Sequence, residues 1–309
     1  MVGGTGWAFV EPCLAFLSEV GLLEILHIEG EKFIRQMADL SRLLLPYQVK
    51  VLLGLAGMNC IGQTLFRDLA WLKLIGYTSA QVRDGFCQRG KPGKQKPLHK
   101  NVLADAVEKL TADEVNYILN ESVKRLVAQG LFADSRGHFA LDGSDLETTA
   151  RFRDCGAKTG TETKWSRKAK KQIQIEKTVP GFKVLALYDV HLRLVVAAKV
   201  VKISEHESQF TRELVRQGSA NLGAGLIQVL LIDRGFLEGL TRWQIKHDEG
   251  VDFVIPAKDG MHIKAAARAF LGDQPDGQLL VGAERPGQGP QQDGHVKLIG
   301  VTGLTSYDQ

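Results

Sequence analysis

LIQVLLIDRGF, running from Leu226 to Phe236, places six apolar residues among the seven that precede Asp233. The run lacks the polar alternation of a half-exposed strand, so it predicts a strand covered on both faces in the middle of a sheet. Arg234 and Gly235 then turn the chain away, which leaves the Asp233 carboxylate at the C-terminal end of the strand. In open α/β sheets ligands bind at that edge. A second aspartate, Asp142 in FALDGSDLE, follows another apolar stretch. The pair predicts two carboxylates converging on a metal ion. Either aspartate alone is also explained as a turn or capping residue.

Working outward, the order of elements from residue 130 reads β, ββ, α, β, α, β. Leu131-Phe132 and His138–Asp142 flank a turn at Asp134–Gly137, and Phe182–Tyr188 and Leu192–Val201 form a second hairpin around Asp189-Val-His191. Ser204–Glu207 has the pattern of a capping box opening a helix through Gln217, with Phe210, Leu214 and Val215 inward. The Leu226 strand, a helix over 237–247 and a strand over 251–255 complete the order. Strands joined by short turns are antiparallel, and strands joined through helices are parallel. This order predicts an α/β fold with an RNase H-like mixed sheet over 131–256. Residues 257–309 read as the start of a β-rich insertion, with strands at 278–283 and 295–301.

Residues 1–130 read as an all-helical region. Apolar residues recur at three-to-four spacing over 10–28, 40–55 and 65–75. Thr111-Ala-Asp-Glu114 is a capping box ahead of a helix that buries Val115, Ile118, Leu119, Leu126 and Val127, and Gly130 ends that helix. Residues 64–87 fit a helix-turn-helix or a plain bundle equally well. Arg89–Lys100 holds two prolines, two glycines and five basic residues, and reads as an exposed loop.

The chain has 309 residues and a net charge of +4, too small to identify a partner, so the distribution of charge matters more. Residues 151–177 carry nine Lys or Arg against Asp154, Glu162 and Glu176, a net of +6 that exceeds the charge of the whole chain. This stretch follows Asp142 closely, so a phosphate backbone is its natural partner, through Lys164, Arg167, Lys168, Lys170 and Lys171. A solvated loop explains the charge as well. Trp165 lies within the stretch and suits stacking on a base. Arg234 is a further candidate contact beside Asp233. The four cysteines form no CxxC pair and read as free thiols. No apolar run spans a membrane, and the N-terminus lacks a signal pattern, so a cytoplasmic, nucleoid-associated location is expected.

Asp142 and Asp233 suit magnesium or manganese, which take few protein ligands and keep waters or phosphate oxygens. Two such ions activate the attacking oxygen and stabilise the leaving one in phosphoryl transfer. Asp145 competes with Asp142, but three residues on a straight strand put it on the opposite face. Asp142 directly follows the apolar residues, and Gly143-Ser144 reads as the end of the strand. A dinucleotide-binding enzyme would need a glycine-rich loop after its first strand, and Gly218–Gly225 precedes its strand instead.

These residues resemble the DDE transposases of bacterial insertion sequences. Leu141-Asp142-Gly143-Ser144 is similar to the first acidic motif of that family, Leu231-Ile-Asp233-Arg-Gly-Phe236 to the second, and His206-Glu207-Ser208 to a turn between them. The resemblance implies cleavage of transposon ends and their joining to target double-stranded DNA, with Asp142 and Asp233 as catalytic metal ligands. It implies work as a homo-oligomer on DNA. It also implies a third ligand, a glutamate in a Tyr-Arg-Glu-Lys helix that has no match here. Since Val301–Gln309 stops in mid-pattern, a truncated chain that holds DNA with weakened or no cleavage is the expectation.

Overall fold

The computed structural model describes residues 9–27, 40–84, 100–149, 154–166, 171–236 and 238–256. The expected insertion at 257–309, the basic loop at 89–99, and Arg167, Lys168 and Lys170 lie outside the described residues. The chain divides into two compact units. The first comprises 1–135 with 196–198 and 220–223, and the second comprises the remainder.

The first unit is helical. Its described helices are α1 (Val10–Glu19), α2 (Leu22–Ile25), α3 (Leu40–Leu52), α4 (Met58–Gln63), α5 (Leu69–Leu74), α6 (Ser79–Asp84), α7 (Lys100–Glu108) and α8 (Ala112–Ala128). Two of the predicted helices are broken by local chemistry. Gly21 takes a left-handed φ of 70° between α1 and α2. Asp68 leaves helical geometry so that its Oδ1 accepts the Trp71 amide and caps α5. Leu43, Ile61, Leu65, Trp71, Leu72 and Leu103 are buried together as the core of this unit. Between α5 and α6 lies a turn at Gly76, and Thr78 and Gln81 cap α6 reciprocally.

The Thr111–Glu114 capping box forms as read: Glu114 N–H donates to Thr111 Oγ1, and the Glu114 carboxylate accepts from the Thr111 amide. Gly130 adopts φ 78°, and the Gly130 and Leu131 amides donate to the Val127 and Leu126 carbonyls, closing α8 in a Schellman motif. The face of α8 differs from expectation, because Val123 is its buried residue and Val115 is exposed. Leu131-Phe132 is not a strand. The turns that end α8 absorb both residues, and Phe132 is buried there.

The second unit is built on a mixed sheet of six described strands: β1 (His138–Glu147), β2 (Gly156–Ser166), β3 (Lys171–Asp189), β4 (Val195–Lys202), β5 (Val229–Ile232) and β6 (Asp252–Val254). β3 is long enough to serve three neighbours. It pairs with β2 and β1, both antiparallel, and with β4. On the other side of β1, β5 and then β6 run parallel. These parallel strands are connected by α9 (Thr211–Leu222) and α10 (Gly239–His247). From residue 181 onward every second residue of β3 is buried, including Leu185 and Leu187. Pro180-Gly181 marks the junction where β3 changes from a two-stranded ribbon to a sheet strand. A Cβ at Gly181 would stand 2.4 Å from the Leu146 carbonyl oxygen, so the close approach of β1 requires glycine there.

Two strand boundaries depart from the sequence reading. β1 does not end at Gly143-Ser144: it continues to Glu147, because β3 supplies a hydrogen-bonding partner all along it. The basic stretch departs from the loop reading where it is described. Its described part is the β2–β3 ribbon, in register from Gly156↔Gly181 to Ser166↔Lys171.

Candidate functional site

The β1–β5 ladder ends at Leu141↔Ile232, and the next residues on the two strands are Asp142 and Asp233. Leu141 and Ile232 are buried while both aspartates are exposed, as period-two alternation requires. Asp142 Oδ1 accepts the Gly143 amide at 2.8 Å. Asp233 Oδ1 accepts the Gly235 amide at 2.6 Å, which tightens the short 3₁₀ turn of Arg234–Phe236. Phe236 is buried and anchors that turn, whereas Arg234 is exposed. The two aspartates therefore make local turn bonds and also stand side by side at one edge of the sheet.

Asp145 lies three residues further along β1, opposite Lys183 of β3. Lys158 of β2 reaches it at 2.8 Å, and the Asp145 carboxylate, with Glu207 nearby, holds the Lys158 ammonium above its usual range. Lys183 occupies a core-facing position in β3 and pairs with Glu207 at 2.7 Å. Glu207 does not close the capping box read at Ser204–Glu207. It opens a 3₁₀ turn (Glu207–Phe210) ahead of α9, and His206 is the cap, its Nδ1 facing the Ser208 amide and Oγ. The Lys183–Glu207 pair is not among the residues expected from the sequence. Its signal was a lysine in phase with the buried face of β3, which demands a partner. Asp189, read as a turn residue, is one: it is buried and its Oδ1 accepts the His191 and Leu192 amides.

The β2–β3 ribbon has two chemically distinct faces. Cross-strand partners share a face and successive residues alternate, so Lys158, Lys164, Lys171 and Lys177 all fall on one side. The other side carries Thr159, Thr161, Thr163, Trp165, Gln172, Gln174, Glu176 and Thr178, and the Thr159 and Thr178 hydroxyls meet across it at 3.0 Å. Trp165 is 64% exposed. On the lysine face, Lys164 lies 3.2 Å from Glu162, and Lys177 lies 3.8 Å from Glu147. Of the predicted contacts, Lys164 and Lys171 are therefore ribbon residues.

Among the described residues no group of three or more His, Cys, Asp or Glu side chains forms a metal cluster. The donor set that is present, two carboxylates on adjacent strands, suits a magnesium-type ion that keeps its waters and takes phosphate oxygens. No described helix is long and apolar enough to cross a membrane. No curated protein sequence matches the chain. The family model described as the transposase DDE domain matches residues 134–301, more than half of the chain, and the protein belongs to that family.

Proposed function

We propose that this protein is a DNA transposase whose second unit is an RNase H-like core, with Asp142 and Asp233 as its visible metal ligands. The observation that carries the reading is the pairing of β1 with β5, which brings these two aspartates next to each other just past the end of the β1–β5 ladder. The order β3-β1-β5-β6, antiparallel and then parallel, supports the fold assignment. Members of the transposase DDE domain family generally use a divalent metal, and two bound magnesium or manganese ions supply an activated attacking oxygen and a stabilised leaving one. Asp142 and Asp233 would hold them. The chain's own contribution is to fix those carboxylates on paired strands and to bring a duplex to them.

The ribbon is the DNA-binding arm in this reading. It continues β3, the strand that pairs with β1 alongside Asp142, and its lysines lie along one side. A two-stranded ribbon fits the major groove, and its lysines suit the phosphate backbone. The helical unit over 1–130 recognises transposon ends, and the protein acts as a homo-oligomer on them. Residues 131–256 form the catalytic core, and 257–309 belong to the insertion.

The test uses the full chain, a supercoiled plasmid carrying the ends of the element that encodes it, and Mn²⁺. Asp142→Asn and Asp233→Asn abolish nicking while the affinity for end DNA stays within about threefold, since the ribbon supplies the phosphate contacts. Nicking that survives either change removes the assignment. Binding without nicking by the unaltered chain would make it a DNA-holding protein.

A further inference from the structure

The β1–β5 ladder stops one residue short of Asp142 and Asp233, so ladder hydrogen bonds do not set the separation of the two carboxylates. Among the described residues, Glu207 reaches both segments beyond that point. A Cβ built on Gly143 would stand 2.9 Å from Glu207 Oε1. A Cβ built on Gly235 would stand 3.1 Å from Glu207 Oε2 and 2.9 Å from Asp233 Oδ1. The Glu207 carboxylate thus lies against the glycine after Asp142 and against the glycine that closes the Asp233 turn. Both positions leave room for it only because they lack a side chain.

Lys183 keeps Glu207 there. Its Nζ is 2.7 Å from Oε1, and Lys183 as a residue is only 7% exposed. The ammonium offsets the repulsion between the Glu207 and Asp233 carboxylates, which would otherwise drive them apart. Lys183, Glu207 and Gly235 share the lining of one cavity with Lys158.

We propose that Glu207, locked by Lys183, is a positioning residue that sets the spacing between Asp142 and Asp233. This rests on the reading of those aspartates as metal ligands. Its role is that of a spacer: the shape of the side chain matters more than its capacity to bind a metal.

The experiment measures Mn²⁺ affinity of the full chain by electron paramagnetic resonance, with circular dichroism as the check on folding. Glu207→Ala is expected to weaken Mn²⁺ binding by about tenfold or more, the usual cost of removing a group that orients metal ligands. The isosteric Glu207→Gln restores affinity to within about threefold of the unaltered chain. Gly143→Ala, which pushes a methyl group against Glu207 without touching its charge, weakens binding like Glu207→Ala. Glu213→Gln, on α9 and paired with Lys199, is the control and changes nothing. Should Glu207→Ala fail to fold, Gly143→Ala carries the test. Equal affinity in Glu207→Ala or Gly143→Ala and the unaltered chain overturns the inference while leaving the metal site standing. A loss in Glu207→Gln as large as in Glu207→Ala also overturns it, because charge would then matter and spacing would not. No Mn²⁺ binding by the unaltered chain overturns the metal-site reading and this inference with it.

Discussion

Lys183→Met tests the physical basis of the site without touching either aspartate. The Lys183 side chain is 9% exposed and that of Glu207 is 21% exposed, so most of this ion pair is removed from water. Methionine matches the apolar stem of lysine closely and deletes the ammonium. The Glu207 carboxylate is then left against Gly143 and Gly235, beside Asp233, with its charge uncompensated. Breaking a buried pair costs about 3–5 kcal/mol, and the partial exposure of Glu207 puts the expected loss near the lower end, about 3 kcal/mol. Urea unfolding of the β1–β3 region, followed by hydrogen exchange of the ladder amides, reads this as a midpoint shift of roughly 1–3 M. The double variant Lys183→Met/Glu207→Gln recovers most of the loss, since it removes both charges and leaves no uncompensated ion. A loss below about 1 kcal/mol, the value for an exposed pair, refutes the argument. So does a double variant no more stable than the single one.

The two faces of the ribbon give a prediction about salt. Lys164→Ala/Lys171→Ala lowers the slope of log affinity against log salt by about 1.8 if each lysine neutralises one phosphate, while Thr161→Ala/Thr163→Ala leaves the slope alone. Fluorescence anisotropy on a duplex decides it, and identical slopes would place the DNA elsewhere. Glu249 predicts an acid limb of stability. Burial by itself would raise its pKa, but hydrogen bonds from Arg212 and Arg216 outweigh this and hold it below its usual value. A lowered folded-state pKa means a stabilisation that is full above about pH 4.5 and lost as the pH falls through the folded value. Glu249→Gln therefore flattens the melting temperature against pH on the acid side, and an unchanged profile counts against the cluster. Thr111→Ala removes the capping box of α8 and is expected to cost about 1 kcal/mol, measured by thermal unfolding of the helical unit. A change within error would show that α8 is held by packing alone.

Local signals carried far into this fold. The apolar run before Asp233 is a central parallel strand, although only Val229–Ile232 form its ladder. Capping at Thr111 and termination at Gly130 were readable because each depends on residues within one helical turn. The neighbouring placement of Asp142 and Asp233 followed from strand order alone. The extent of β1 was not readable. Gly143-Ser144-Asp145 looks like a turn, and it is a strand because β3 pairs with it from 40 or so residues away.

The ribbon hid for a related reason. A strand pair exposed on both faces buries no apolar stripe, and Ile173 and Ile175 alternate with polar residues over only a short run, although threonine at every second position from Thr159 to Thr163 was a usable β signal. By itself, then, the sequence determined most of the helical segments, the central strand before Asp233 and the adjacency of Asp142 and Asp233, because these follow from periodicity and chain order. Tertiary structure alone decided that Lys158, Lys164, Lys171 and Lys177 share one face and that Glu207 stands beside Gly143, Gly235 and Lys183. Those contacts join residues far apart in the chain. Only strand register and close packing bring them together.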